Sequence, residues 1–387
     1  MGPHSDILVA DFSRVLAGPL AAMLLGDLGA DVIKVERRDG GDDTRHWGPP
    51  WRERSDGEGS ARDGNEATYY LGLNRNKRSL ALDLGDDDDR ALARALGERA
   101  DVLIESFRPG LMARWGLDGD TLRHENPRLV TCSITAFGTG EEARGMPGYD
   151  FLLQAMGGLM SVTGEADGPP VKVGAAVIDL VSGLLAVAGI QAALAERERT
   201  GRGRHVEVSL MDAALTTLLN QASAWVLAGE VGRRRGNRHP SIVPYETYAA
   251  SDRPLAVAAG NDRLFARLCG AVGRDELAGD ARFKDNAARV EHADALAEEL
   301  NAAFVVRPAD DWVAVLRDAG VPAGPINDVA QAYALAESLG LEPIGAAGGY
   351  PLPAPPLRLD GERPPIRRPP PKLDEHGEEL RAWLRDA

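Results

Sequence analysis

A chain of 387 residues with a net charge of −15 has room for two or three domains, and its sign excludes general attraction to nucleic acid or an anionic membrane. Its 44% apolar and 27% charged residues suit a globular protein with a large core. Two distant cysteines, Cys132 and Cys269, leave no disulfide framework or cysteine-rich metal site.

The N-terminus lacks the apolar stretch of a signal peptide and the serine or threonine of a myristoylation site, so the cytoplasm is the expected compartment. The best candidate for a membrane span, 205–229, is interrupted by Glu207 and Asp212. Residues 7–10 read as a buried strand, 19–28 as a helix with proline at its first position, and 31–36 as a second strand. That βαβ unit predicts a parallel sheet with ligands at its strand C-termini. Residues 39–66 are polar and aperiodic, a long loop or lid. Strands follow at 79–84, 101–106 and 129–135, with an amphipathic helix at 87–99. A helix opens at Asp150, an Ala/Leu-rich core helix runs over 180–198, and 204–210 alternates as a strand. One long helix is expected over 211–229.

Beyond it lie two short strands, 246–250 and 255–258, and helices at 262–272, 288–304 and 309–319. Nine prolines in 351–371 predict an extended strap, and 374–385 a final amphipathic helix. The expected class is α/β: a Rossmann-like large domain with a parallel sheet over 1–200 and a linker helix region over 201–229. A small α+β domain follows over 230–325, with a return to the large domain over 326–387.

Asp179 stands at the mouth of the 180–198 helix, where a carboxylate can accept backbone N–H bonds and sit in the positive end of the dipole. Gly174 and Gly183 on either side allow close approach by a backbone or ligand. Taken alone, such an aspartate is an ordinary cap. Cations gather near successive strand ends: Arg14, Arg37, Arg38, Arg75, Lys77, Arg78, Arg108 and Arg114, with Leu73 and Phe107 among them. They suit a ligand with phosphates and an adenine, against the bland alternative of solvated surface arginines. The first turn lacks G-x-G-x-x-G, and there is no P-loop, G-x-S-x-G elbow or H-E-x-x-H, so no metal site is expected. His239 follows Arg233, Arg234, Arg235 and Arg238, a basic run against the chain's overall charge.

Several segments carry a resemblance. Arg14–Pro19, Gly29–Glu36, Asn74–Ser79, Phe107–Gly110, Gly148-Tyr149-Asp150, Val177-Ile178-Asp179, Thr200–Gly203 and Gly324–Asn327 occur in the order of the class III CoA-transferase family (CaiB/BaiF type). The sequence resembles that family over most of its length. Gly41–Arg45, Ser241–Tyr245 and Ala259-Gly260-Asn261 look most like the succinate–hydroxymethylglutarate branch. Leu16 stands where formyl-CoA transferase has glutamine, and the glycine-rich loop of that enzyme has no clear counterpart, which disfavours oxalate as acceptor. Tyr149 replaces the histidine of the racemase members, and a tyrosine is a poor acid/base partner at neutral pH.

The resemblance implies a CoA-transferase working as an interlocked homodimer, with acyl-CoA and a carboxylic acid as substrates and no tightly bound cofactor. It makes Asp179 the nucleophile and Tyr149 the residue that positions the acyl group. Leu16, Ala17, Arg37, Leu73, Phe107 and Arg114 would serve CoA. Arg238 and His239 would hold the distal carboxylate of a dicarboxylate acceptor, and Gly260 would serve an oxyanion. An acyl-CoA racemase of the same fold, a nicotinamide-dependent oxidoreductase and a non-catalytic acyl-CoA binding protein are the alternatives.

Overall fold

A computed structural model of the chain describes residues 2–53, 65–143 and 145–386. It divides into two units, one comprising Met1–Leu159, Lys172–Glu230 and Glu342–Ala387, the other Met160–Val171 and Val231–Leu341.

Unit 1 is built on six strands: β1 (Leu8–Asp11), β2 (Asp31–Glu36), β3 (Lys77–Ala81), β4 (Val102–Glu105), β5 (Val130–Thr135) and β6 (His205–Ser209). All pairings are parallel, in the order β3-β2-β1-β4-β5-β6. Ala10 lies between Ile33 and Leu103, and Val9, Ala10, Val32, Ile33, Val102 and Ile104 are fully buried. Continuous apolar strands are what a sheet covered on both faces requires. The order reverses beside β1, so the crevice at the C-terminal ends of β1 and β4 is a topological switch point.

The Ala17–Asp27 helix is buried along its whole length. It lies against the Val177–Thr200 helix at Gly183, where a Cβ would come within 2.8 Å of the Ala17 carbonyl oxygen. Among the described residues, Val177–Thr200 is the one helix long and apolar enough to cross a membrane by length and composition; from the sequence no run is expected to span, the interrupted 205–229 being the nearest candidate. The Asp87–Arg99 helix is capped by Asp86 and sends Leu92 and Leu96 into a core completed by Leu380 and Leu384 of the Gly377–Arg385 helix.

The polar stretch after β2 is not a plain loop. Asp43–His46 forms a short 3-10 helix, and Trp51–Glu53 pairs antiparallel with Asn65–Ala67; residues 54–64 lie outside the described residues. Asp42, Arg45 and Glu66 are buried here because they pair with one another and with the sheet. Arg45 donates to both Glu36 carboxylate oxygens at 2.8 Å, and both side chains are almost entirely covered. The expected 211–229 helix is two helices, Leu210–Thr217 and Asn220–Ala228. They break at Leu219 (φ +43°), with neither proline nor glycine to mark the position.

The proline-rich segment has few N–H groups, and two of them, Arg367 and Arg368, donate to the Asn76 side-chain oxygen at 2.7 and 3.1 Å. Farther along, the Pro371 carbonyl accepts from the Tyr70 hydroxyl at 3.1 Å. A hairpin of Ile344–Ala347 and Tyr350–Pro353 precedes it.

Unit 2 holds an antiparallel sheet, β9-β8-β7, of β7 (Tyr245–Ala249), β8 (Pro254–Ala258) and β9 (Ala323–Pro325). The third strand, Ala-Gly-Pro, carries no β-branched residue that would announce it in the sequence. Tyr248, Leu255, Phe265, Leu300, Phe304 and Trp312 form its core.

Candidate active site

A cavity of about 270 Å³ opens at the switch point. Its walls come from the turn after β1 (Arg14–Gly18), the end of β4 (Ser106–Pro109), the end of β5, the Gly145–Tyr149 stretch and Asp179. Leu16, Ala17, Phe107, Tyr149 and Asp179, expected to act together, therefore share one space.

Asp179 is the third residue of the Val177–Thr200 helix, and Ala176 before it supplies no side-chain cap. The cap comes from another element. Asp150, first residue of the Asp150–Met156 helix, accepts the Ile178 amide at 2.8 Å and the Asp179 amide at 3.4 Å. One turn on, the buried Gln154 donates to the other Asp150 oxygen at 2.6 Å and to the Ala175 carbonyl at 3.3 Å. It also accepts the Val173 amide at 2.8 Å. The helix mouth is thus stapled to the Asp150–Met156 helix.

Asp179 itself is partly exposed to the cavity and, among the described residues, has no ion-pair partner, although Arg14 and Arg108 line the same cavity. Burial first, then the like charge of Asp150, pushes its carboxyl up to about 7. Nearby Tyr69 is kept neutral, pushed up to about 12 by burial and by the charges of Asp179, Asp150 and Asp42. Asp150 stands in the Gly148-Tyr149-Asp150 segment of the family resemblance, but its role as a cap, and Gln154 and Tyr69 altogether, are not read from the sequence. The i, i+4 spacing from Asp150 is the signal that points to Gln154.

A second cavity, about 410 Å³, lies at the ends of β1, β2 and β3. Phe107, Trp115, Leu82 and Leu84 give it apolar walls, and Arg37 and Arg38 stand at its edge. Phe107 and Trp115 meet edge to face at 5.3 Å between centroids. Leu73 is not among these residues: it packs against Leu20, Met23 and Leu24, because it closes a helix, Thr68–Leu73, that the sequence pattern does not announce. The leucines that do line the slot are Leu82 and Leu84. Arg37 is held by the Asp43 carboxylate at 2.5 Å and the Gly41 carbonyl at 3.2 Å. Arg114 lines an adjoining cavity of about 780 Å³ with Arg108 and Arg123.

Glu36, at the end of β2, occupies the position from which a dinucleotide fold reads a ribose. Here both of its oxygens are engaged, by Arg45, by the Ser79 hydroxyl at 2.7 Å and by the Asp42 amide at 3.0 Å. It has no free lone pair to offer a nicotinamide cofactor.

In unit 2, Arg238 is paired with Glu246 at 3.1 Å and Asp294 at 2.6 Å. His239 packs on Tyr245 and accepts the Ser241 amide at 3.1 Å. Gly260 follows β8, near Ile242. Arg233, Arg234, Arg235 and Arg238 line one cavity of about 370 Å³ with Asp167. Among the described residues Arg233 and Arg235 have no carboxylate partner.

The model of CoA-transferase family III matches residues 5–377. The acetyl-CoA:oxalate CoA-transferase of Acetobacter aceti is 41% identical over 98% of this chain and 95% of its own length. The succinate–glutarate CoA-transferase of Agrobacterium fabrum is 41% identical over 99% of this chain and 96% of its own. A crystal structure of a CaiB/BaiF family protein from Brucella suis superposes with a TM-score of 0.87 at 41% identity, covering 99% of both chains. Matched along nearly its whole length in sequence and in fold, the chain belongs to CoA-transferase family III.

Proposed function

We propose that this enzyme moves CoA from a dicarboxylyl-CoA to a second dicarboxylate through a thioester formed on Asp179. The observation that carries the reading is a cavity-lining carboxylate at a helix mouth that has no ion-pair partner among the described residues. A carboxylate oxygen attacks the thioester carbonyl carbon, the C–S bond breaks, and a mixed anhydride and CoA thiolate result. The thiolate then attacks the aspartyl carbonyl, expelling the donor acid and leaving an aspartyl-CoA thioester. The acceptor carboxylate runs the two steps in reverse and regenerates Asp179. Every intermediate stays at the anhydride or thioester level, so no ATP is needed.

In this reading Arg37 and Phe107, with Leu82 and Trp115, take the nucleotide end of CoA, and Arg114 a phosphate. Leu16 and Ala17 line the path of the thioester, and Tyr149 positions the acyl chain. The dicarboxylate preference is supported by relatives named for oxalate and for glutarate, which are equally similar and leave the chain length of the acid open. For the second carboxylate we favour Arg233 and Arg235 over the doubly paired Arg238. His239 and Gly260 stay as candidates beside them. A homodimer is supported by apolar side chains left exposed on unit 1. Leu180 and Leu184 lie on the Val177–Thr200 helix, and Trp225 and Leu227 on a helix with no buried residue.

Incubation with succinyl-CoA and glutarate, oxalate or butyrate, followed by hydroxylamine and peptide mapping, tests the proposal. Hydroxamate at Asp179 and turnover with the diacids are expected. Modification of a different carboxylate, or turnover without any, overturns the nucleophile; preference for butyrate overturns the acceptor class.

A further inference from the structure

Val15 lies on the wall of the Asp179 cavity with φ at +72°. For a β-branched residue this is a sterically disfavoured backbone, disfavoured by roughly tenfold or more in equilibrium terms, and it persists only where surrounding groups impose it. The surrounding groups can be named. Asp42 accepts the Val15 amide with both carboxylate oxygens, at 3.4 and 3.3 Å. Lys34, wholly buried, holds Asp42 at 2.8 Å and the Ser13 carbonyl at 3.0 Å. Asp11 accepts the Ser13 amide at 3.1 Å and is itself paired with Lys77 at 2.9 Å. Arg14, between them, donates its amide to the Ser106 hydroxyl at 3.1 Å.

Each residue of the turn from Ser13 to Val15 is thus gripped through its backbone. The Ala17–Asp27 helix begins directly after this turn, at the cavity and without a side-chain cap, its first amides along the wall that Leu16 and Ala17 form.

Asp42 also caps the Asp43–His46 turn, accepting the Thr44 amide at 2.9 Å and hydroxyl at 2.8 Å. A cap for four residues needs neither a buried lysine nor a reach to a strained valine. Burial opposes ionisation of Asp42, but Lys34 and the Thr44 bonds outweigh it and hold the carboxyl down at about 2. The acceptor is charged throughout the working pH range.

We propose that Asp42, fixed by Lys34, is a positioning residue for the transfer reaction: it holds Val15 in the left-handed conformation and so sets the cavity wall that faces the acyl-CoA. The inference rests on the reading of the Asp179 cavity as the active site.

The test is a mutant cycle on the full chain. Glycine adopts a positive φ without strain, so Val15→Gly relieves the turn of its need for the clamp. Asp42→Asn is expected to lower kcat by roughly tenfold or more, with KM for acyl-CoA changed less. Val15→Gly placed in that background is expected to recover most of the lost kcat, an effect at least several-fold more favourable than the same substitution in the wild type. A role in stability alone would lower the melting temperature without this coupling. If Asp42→Asn does not fold because Lys34 is left unpaired, Lys34→Gln/Asp42→Asn replaces it, and the same recovery is expected on adding Val15→Gly. Equal effects of Val15→Gly in both backgrounds overturn the proposal. Hydroxylamine mapping of the wild type runs in parallel. If Asp179 is not acylated, the active-site reading has failed; if it is acylated and the cycle shows no coupling, the clamp alone has failed.

Discussion

Asp42 and Asp179 are the same residue in two settings of the same unit. In both, burial works against the charge. Asp42 has Lys34 at 2.8 Å and its carboxyl lies at about 2; Asp179 has Asp150 as its charged neighbour and lies at about 7. The neighbours, not the degree of burial, separate the two: Lys34 and the Thr44 bonds favour the charge of Asp42, and Asp150 opposes that of Asp179. The chemistry divides accordingly. Acylating Asp42 would strand a buried lysine without its counter-ion, whereas acylating Asp179 removes a poorly solvated charge and its repulsion with Asp150. One carboxylate is built to stay ionised and hold the turn, and the other gains from losing its charge.

The largest effect is expected where that difference is removed outright. Asp179→Asn has no carboxylate to form an anhydride, so kcat should fall by at least roughly three orders of magnitude, while CoA affinity changes by no more than about threefold. Single-turnover assays and calorimetric CoA titration measure both. Residual turnover within about tenfold of wild type would leave Asp179 no special chemistry to set against Asp42.

A smaller change sharpens the comparison by altering only the neighbour. The nucleophile must be ionised, so kcat/KM should rise about tenfold per pH unit below the Asp179 pKa and level off above about 7. In Asp150→Asn the like charge is gone, and this limb should move to lower pH while burial keeps it above the ordinary carboxylate range. The plateau should drop by roughly tenfold as the amides of Ile178 and Asp179 lose a charged acceptor. An unmoved limb would mean that burial alone sets the Asp179 pKa.

How much of this is legible in the sequence depends on how far apart the partners lie. Strands β1, β2 and β4 are apolar runs closed by polar or glycine-containing turns, and their alternation with helices carries the parallel sheet and its ligand-binding edge. Asp179 stands out because an Ala/Leu run begins behind it. Asp150 is visible as a helix start, but its role as the cap of Asp179 is not, since the two lie 29 positions apart in sequence. Asp42 and Arg45 sit in a stretch that reads as solvated loop; only the charges of β2, brought alongside by folding, make them buried. Leu73 reads in the sequence as an apolar neighbour of arginines, but the Thr68–Leu73 helix packs it against Leu20, Met23 and Leu24, and Leu82 and Leu84 line the slot beside Arg37 and Arg38.

The smallest effect is in stability, and its sign differs between the two carboxylates. Asp179 binds its proton more tightly folded, at about 7, than at the ordinary 3.8 of an unfolded chain. Its contribution is therefore fully present below about pH 4 and is lost as pH rises through 7. A shift of that size corresponds to at most ~4 kcal/mol, reduced to ~1–2 kcal/mol because the group is partly solvated. Asp179→Asn, nearly isosteric and uncharged, should escape the loss. Its melting temperature should gain on the wild type by roughly 2–6 °C between pH 5 and pH 8. Asp42 runs the other way. Its folded carboxyl at about 2 lies below the ordinary value, so its contribution is present above pH 4 and is lost only as pH falls through 2. The gap between wild type and Asp42→Asn should consequently stay flat over pH 5–8. Calorimetry of the three proteins across that range separates the cases. A gap for Asp179→Asn that does not widen with pH would mean that Asp179 carries an ordinary carboxyl and that its neighbours do not prepare it for acylation.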